Sequence, residues 1–255
     1  MVTKIEITNL SFSYGVNNVL CECNALFESG NVYVLLGNNG VGKSTLFKCL
    51  IKQCKVSNNQ IYINEKDINS YSYIDYSKEV SFVSQLNNFG NLDISVRDYL
   101  VQGRTPHLKT FMVPGKNEYV CMYNYAKEVG VDNLLSKQLS ELSGGELQMI
   151  NITRALIQET PIIILDEPLS ALDIKNQFKI LSLMKKMSNQ DKIIIFSSHN
   201  PSHAVTLKSN VLLMKDGKIL AAGKYNEIIN GELLSKTYGC DVAVNEYGDV
   251  KFENF

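Results

Sequence analysis

The sequence predicts an α/β fold: a mostly parallel sheet with helices on its faces, an antiparallel β part at the N-terminus and a helical subdomain inserted midway. Three observations predict it. The uniformly apolar segments Ile162 to Leu165, Ile193 to Phe196 and Val211 to Met214 alternate with helical patterns at Ile174 to Met187 and near Ala204. Strands apolar on both sides imply a parallel sheet covered on both faces. The first part of the chain reads instead as short β segments around a single helix, and the stretch from about 86 to 140 carries helical periodicity alone.

The chain has 255 residues, enough for one domain with a sizeable insertion. We expect a single domain over 1–255, with its core in 1–85 and 141–240, the helical subdomain at about 86–140, and a tail from about 240 to 255. Hydrophobic residues make up 45% and charged residues 20%, a globular composition. Lys and Arg total 25 against 26 Asp and Glu, a net charge of −1, so no general attraction for a phosphate backbone exists and no nucleic-acid partner is expected. The longest apolar stretches fall far short of the ~20 residues of a membrane-spanning helix. The opening MVTKIEITNL lacks a cationic lead and an apolar block, which points to residence in the cytoplasm. Cysteines 21, 23, 49, 54, 121 and 240 form no CxxC pair and are expected to be reduced, buried hydrophobes.

In order, β segments are predicted at Ile5 to Leu10, Val19 to Phe27, Val32 to Leu36, Gln60 to Ile63 and Val80 to Val83, most of them rich in β-branched or aromatic residues. Leu46, Phe47, Leu50 and Ile51 have helical spacing, so a helix is expected from Ser44 to about Cys54. Val96 to Gln102 and Tyr119 to Val129 read as helices separated by a Pro106 to Gly115 loop. Asp216-Gly217 is a hairpin signal before Lys218 to Ala222, and Tyr247-Gly248-Asp249 offers a second turn.

Gly37-Asn38-Asn39-Gly40-Val41-Gly42-Lys43-Ser44 matches GxxxxGK[ST], directly after a predicted strand and before a helix. Glycines let the backbone curl with its amides inward, so N–H groups and the helix N-terminus hold phosphate oxygens. Lys43 then neutralises the β and γ phosphates, Ser44 offers a hydroxyl to Mg²⁺, and Thr45 adds a hydrogen bond to phosphate. The core is therefore expected to be a P-loop NTPase.

Ile162 to Leu165 runs into Asp166-Glu167, placing two carboxylates at the carboxyl end of a buried strand, where ligands bind in open α/β sheets. Asp166 suits the metal shell and Glu167 suits proton transfer from an attacking water. Leu142-Ser143-Gly144-Gly145-Glu146 heads a further helical segment. Ser143 is expected to cap it and Glu146 to complete a capping box, leaving amides and a hydroxyl as a second anion-binding surface.

With these motifs in this order, the sequence resembles the ATP-binding-cassette family over most of its length. The resemblance implies that Tyr14 stacks on adenine, that Gln85 touches Mg²⁺ and the attacking water, that Asp173 of Ser170-Ala171-Leu172-Asp173 belongs to the loop after the catalytic glutamate, and that His199 contacts the γ-phosphate. It implies ATP and Mg²⁺ as cofactors, with Glu167, His199, Gln85 and Lys43 catalytic and Ser44, Gln85 and Asp166 around the metal. It further implies a homodimer in which Ser143, Gly144, Gly145 and Glu146 of one copy close over nucleotide held by the other.

Val96-Arg97-Asp98-Tyr99-Leu100 followed by Gly103-Arg104-Thr105-Pro106-His107-Leu108 resembles the stretch found in ATPase subunits of importers for iron siderophores, haem and cobalamin. Integral-membrane permease subunits, an extracytoplasmic substrate-binding protein and a position at the cytoplasmic face of the cell membrane are its implications. Leu147, Gln148 and Met149 lack the arginines often found after the signature, and Asn200-Pro201 replaces Asp-Leu after the histidine. The competing function is a soluble cassette ATPase acting as a mechanical switch on a non-membrane complex. A small-molecule kinase would leave the signature and His199 without a role. His203 lies near His199, but Pro201 intervenes and a third ligand is lacking, so a metal site there is not expected.

Overall fold

The computed structural model describes residues 3–85, 93–109, 111–245 and 250–252. Along the chain run β1 (Lys4–Tyr14), β2 (Asn17–Glu28), β3 (Val32–Leu36), α1 (Lys43–Leu50), β4 (Ile61–Ile63), β5 (Lys66–Asp67), α2 (Tyr73–Glu79) and β6 (Val80–Val83). Then follow α3 (Val96–Val101), α4 (Lys116–Val129), α5 (Gly144–Ile157), β7 (Ile162–Leu165), α6 (Ile174–Ser188), β8 (Ile193–Ser198), α7 (Ser202–Leu207), β9 (Asn210–Lys215) and β10 (Lys218–Lys224). The last elements are α8 (Tyr225–Ile228), α9 (Gly231–Tyr238), β11 (Val242–Val244) and β12 (Val250–Phe252). The chain forms two compact units, one of Met1–Tyr71 with Met184–Phe255 and one of Ser72–Leu183.

In the first unit β3 lies between β8 and β9, parallel to both, and β10 pairs antiparallel with β9. Every residue of β3 is buried, as its apolar sequence on both faces requires. Each such Val or Leu contributes about 1.5–3 kcal/mol of burial. Asp216 and Gly217 have φ 47° and 74°, the left-handed pair that a tight hairpin needs. A second sheet, ordered β2-β1-β4-β5, is antiparallel throughout.

β1 runs on to Tyr14 rather than stopping at Leu10. Asn9 takes φ 48° and donates its N–H to Asn24 Oδ1 at 2.9 Å; the register shifts there and pairing resumes at Leu10 with Cys23. A bulge of this kind absorbs the extra residue without ending the strand. α1 ends at Leu50 rather than near Cys54. Lys52 turns left-handed at φ 60°, and the N–H groups of Gln53 and Cys54 both close on the Lys48 carbonyl.

In the second unit β6 and β7 pair in parallel, Val83 beside Leu165. α3 packs against α5 through Tyr99: its hydroxyl donates to Asn151 Oδ1 at 2.8 Å, and the Arg154 guanidinium sits 4.8 Å from the ring centroid. Gly103 comes so close to α5 that an added Cβ would stand 2.7 Å from the Arg154 carbonyl oxygen. Beyond α3 the expected Pro106 to Gly115 loop is partly a 3-10 turn, Gln102–His107. α4 starts at Lys116 rather than Tyr119, because Glu118 Oε2 accepts the Gly115 N–H at 2.8 Å. α2, α8 and α9 have no counterpart among the expected elements.

The start of the helical stretch at Leu86 and the Tyr247-Gly248-Asp249 turn lie outside the described residues, although β11 and β12 pair antiparallel. Cys23, Cys49 and Cys54 are buried as expected, whereas Cys240 is exposed. It follows Gly239, whose φ of 72° ends α9 and turns the chain away.

Candidate nucleotide-binding site

The loop between β3 and α1 closes on its own lysine. Lys43 is 5% exposed, and its Nζ donates to the Gly37 carbonyl at 2.7 Å and to the Asn38 carbonyl at 2.9 Å. Asn38, Asn39 and Gly40 form an exposed lip, while Gly37, Gly42 and Thr45 are buried and Val41 and Ser44 half-buried. Gly42 has φ 109° and is the N-cap of α1, with no side chain making the cap. The amide N–H groups of a first helical turn are the groups that an anion at a helix N-terminus contacts. A Cβ on Gly42 would meet Met214 Cε at 2.9 Å and the Val19 carbonyl oxygen at 3.0 Å, so backbone must occupy the space that any side chain would claim.

Tyr14 ends β1 beside this loop. Its Oη lies 3.4 Å from Cys54 Sγ, and the Phe12 ring meets it edge-on with centroids 4.9 Å apart. The hydrogen bond with Cys54, then burial, raises the phenol's pKa, so the group stays protonated. The side chain remains 47% exposed, anchored at its tip and open to a stacking partner.

His199 follows β8 and is exposed. Its carbonyl accepts a hydrogen bond from Tyr238 Oη at 3.5 Å. His203, the second residue of α7, has Nδ1 2.9 Å from Ser198 Oγ. Burial, then the charge of His199, lowers its pKa. A side chain held this way is a structural histidine.

In the second unit β6 leads to Gln85, which is exposed, and β7 leads to Asp166, which is 5% exposed. The Asp166 N–H extends the ladder by donating to the Val83 carbonyl at 2.8 Å. Glu167 then takes φ 46°, a left-handed conformation that costs a non-glycine residue of order 1–3 kcal/mol and clusters at functional sites. Gln148 Nε2 steadies the next peptide by donating to the Pro168 carbonyl at 3.1 Å. Asp173 caps α6, its Oδ1 accepting the Asn176 N–H at 2.8 Å.

Ser143 caps α5 as the sequence predicts. Its Oγ accepts the Glu146 N–H at 3.3 Å and donates to Glu146 Oε2 at 2.8 Å, while that carboxylate also takes the Ser143 N–H at 2.9 Å. These bonds, those from Ser143 first, hold the Glu146 carboxyl below the usual carboxylate range. Gly144 has open space around it, and Gly145 approaches the Ala171 carbonyl oxygen so closely that a Cβ would stand 3.2 Å away.

Two residues beside the expected set escaped sequence reasoning. Cys54 touches Tyr14, and Tyr238 touches both His199 and, through its carbonyl, the Asn38 side chain at 3.2 Å. No local pattern flags contacts between positions so far apart in sequence.

A buried lysine wrapped in a glycine cradle after a parallel strand fits a triphosphate, and a buried aspartate at a strand end fits a divalent cation. Fold and site thus define an α/β nucleoside-triphosphate-binding protein. The ABC transporter family model matches residues 20–170, and the chain belongs to the ABC transporter family, as an ATP-binding ATPase. It is 32% identical over 241 residues to an uncharacterized ABC transporter ATP-binding protein of Methanocaldococcus jannaschii, covering 94% of this chain and 93% of that one. It is 27% identical over 241 residues to the petrobactin import ATP-binding protein YclP of Bacillus subtilis, covering 94% of each. Among solved structures, a metal-chelate type ABC transporter in an inward-facing conformation superposes with a TM-score of 0.81 at 27% identity, covering 98% of this chain and 95% of that one.

Proposed function

We propose that this chain is the ATP-hydrolysing subunit of a membrane importer for an iron-siderophore, haem or cobalamin-type cargo, acting as a homodimer at the cytoplasmic face of the membrane. The feature that supports the pairing is the helix N-terminus at Ser143 on α5, capped by Ser143 and Glu146, in a chain whose α1 begins at Gly42 with no side-chain cap. Two copies set head to tail give each nucleotide a P-loop from one copy and Ser143, Gly144, Gly145 and Glu146 from the other. Ile174 and Phe178, 73% and 61% exposed at the start of α6 beside Asp173, are apolar surface suited to such a contact.

Each residue then has a task. Gly37 to Gly42 present amides, Lys43 neutralises phosphate charge, and Tyr14 takes the base. Thr45 adds a hydrogen bond to phosphate. Mg²⁺, when bound with the nucleotide at Ser44, Gln85 and Asp166, supplies further charge neutralisation. Glu167 accepts a proton from the attacking water, and His199 holds the γ-phosphate oxygen. ATP bridging two copies supplies the difference in affinity between open and closed states that a ligand-driven switch requires.

A membrane partner is supported by a cavity of ≈ 550 Å³ lined by Ile74, Thr105, Pro106, Leu108, Phe111 and Met112. Phe111 is fully exposed and Met112 and Val113 beside it are 62% and 82% exposed, a run of apolar surface of the kind that marks an interaction site. Among the described residues no helix is long and apolar enough to cross a membrane, so a spanning partner supplies the pathway. An extracytoplasmic binding protein delivers cargo to that partner.

Reconstitution in vesicles tests the proposal. ATPase activity with the co-purifying permease is expected to rise when a binding protein carries metal chelate, haem or cobalamin. Isolation instead with soluble scaffold proteins or ribosomes would replace transport with a mechanical role on that complex.

A further inference from the structure

The helix α9 ends against the nucleotide-binding segments of its own unit. The last carbonyls of a helix lack partners within it, and here two of them are taken by groups around the P-loop. Asn38 Nδ2, on the loop's exposed lip, donates to the Tyr238 carbonyl at 3.2 Å. Lys215 Nζ, at the end of β9, donates to the Lys236 carbonyl at 2.6 Å. β9 and the turn after it also back the loop directly: the Gly217 N–H, in the turn, donates to the Val41 carbonyl at 3.2 Å, and the Met214 carbonyl oxygen of β9 leaves no room for a Cβ on Gly37. The Tyr238 side chain reaches the other way, its Oη donating to the His199 carbonyl at 3.5 Å. Burial pushes that phenol up to about 12, so it stays a donor throughout the working pH range.

One residue thus holds the lip of the P-loop with its main chain and the histidine segment after β8 with its side chain. Leu234 and Thr237 bury the inner face of α9, and Asn230 caps its start by accepting the Leu233 N–H at 2.9 Å, so the helix is a fixed strut. The sequence from Gly239 onward continues from this same point.

We propose that Tyr238 is a positioning residue for ATP turnover, bridging Asn38 of the P-loop and the backbone of His199 so that the γ-phosphate and the histidine keep a common register. The proposal rests on the reading of the P-loop and His199 given above. Tyr238 touches the backbone on either side of the chemistry and not the phosphate itself, so its loss acts on the turnover step more than on ATP binding.

Tyr238→Phe in the full-length chain tests this, because it removes the hydroxyl while keeping the ring. The expected result is a kcat about three- to ten-fold lower, the worth of one net hydrogen bond. ATP Kd, measured with Mg²⁺, stays within about two-fold of the parent, and the melting temperature falls by at most about 2–4 °C, the cost of one hydrogen bond in a chain of this size. Unchanged kcat, or a loss confined to Kd, overturns the bridge. His199→Ala is measured alongside: if it turns over as fast as the parent, the role of His199 fails and the bridge with it. A slow His199→Ala beside a normal Tyr238→Phe removes the bridge alone.

Discussion

Lys43 Nζ stands 2.7 Å from the Gly37 carbonyl oxygen, so the cation that would meet triphosphate already ties the first residue of the loop to its last turn. The curl is held by the chain's own groups, and on the proposed reading phosphate oxygens would take over from the carbonyl partners. Lys43→Ala removes both the tie and the counter-charge. ATP affinity is expected to fall by at least about ten-fold, a charge-assisted bond being worth about 1.5–3 kcal/mol, as read by equilibrium titration.

Gly42→Ala is a steric test of the same loop. With φ 109°, Met214 Cε at 2.9 Å and the Val19 carbonyl oxygen at 3.0 Å from the new methyl, the substitution is expected to cost about 1–3 kcal/mol. Thermal denaturation should show it as a lower melting temperature together with lost nucleotide binding. An alanine variant as stable as the parent would mean that the loop relaxes freely.

Glu167→Gln keeps the shape of the side chain and removes its basicity. Hydrolysis is expected to drop by about 10²–10⁴-fold while ATP still binds and holds two copies together. Light scattering with and without ATP, beside a single-turnover phosphate assay, checks both halves of the expectation.

Ser143→Ala separates capping from nucleotide contact. Loss of the N-cap costs about 1 kcal/mol, visible in urea unfolding. The P-loop is untouched, so ATP binding by one copy should persist while ATP-dependent pairing weakens. Ser143→Asp restores a cap acceptor but loses the hydroxyl that donates to Glu146 Oε2 and sets a second carboxylate beside it, so it should recover the cap's stability only in part and should not recover pairing.

His203 gives a pH dependence. Its folded pKa is lowered by burial and by His199, so near and below the ordinary value of about 6.5 the unfolded chain binds more protons than the folded one. Stability therefore falls as pH drops through that value and continues to fall toward the lowered folded pKa. A His203→Gln variant lacks this component, so the ratio of its stability to the parent's should rise between pH 7.5 and about 5.5, followed by melting temperature.

Much of this was legible in the chain itself. The strand Ile162 to Leu165 falls where its apolar run predicts, and the Ser143 and Glu146 capping box follows from spacing alone. α2 escaped because its sequence buries only Tyr76 and so carries almost no amphipathic stripe, although Ser72 accepting the Asp75 N–H marks its start. α9 escaped despite a capping Asn230 and a terminating Gly239, since few apolar residues separate them. Helix α1 was expected to run too far because the reversal at Lys52 has no glycine to announce it. Contacts such as Tyr14 with Cys54 depend on how distant strands and helices meet, which periodicity does not encode.

The bare Phe111 side chain has a consequence for how this polypeptide must be made in a cell. If the proposed membrane-embedded companion covers it, a copy synthesised in excess of that companion would carry an uncovered greasy knob into a crowded solution, where self-adhesion and proteolytic clearance compete for it. Replacing Phe111 and Met112 with serine should raise the yield of the lone subunit while lowering the yield of the assembled complex.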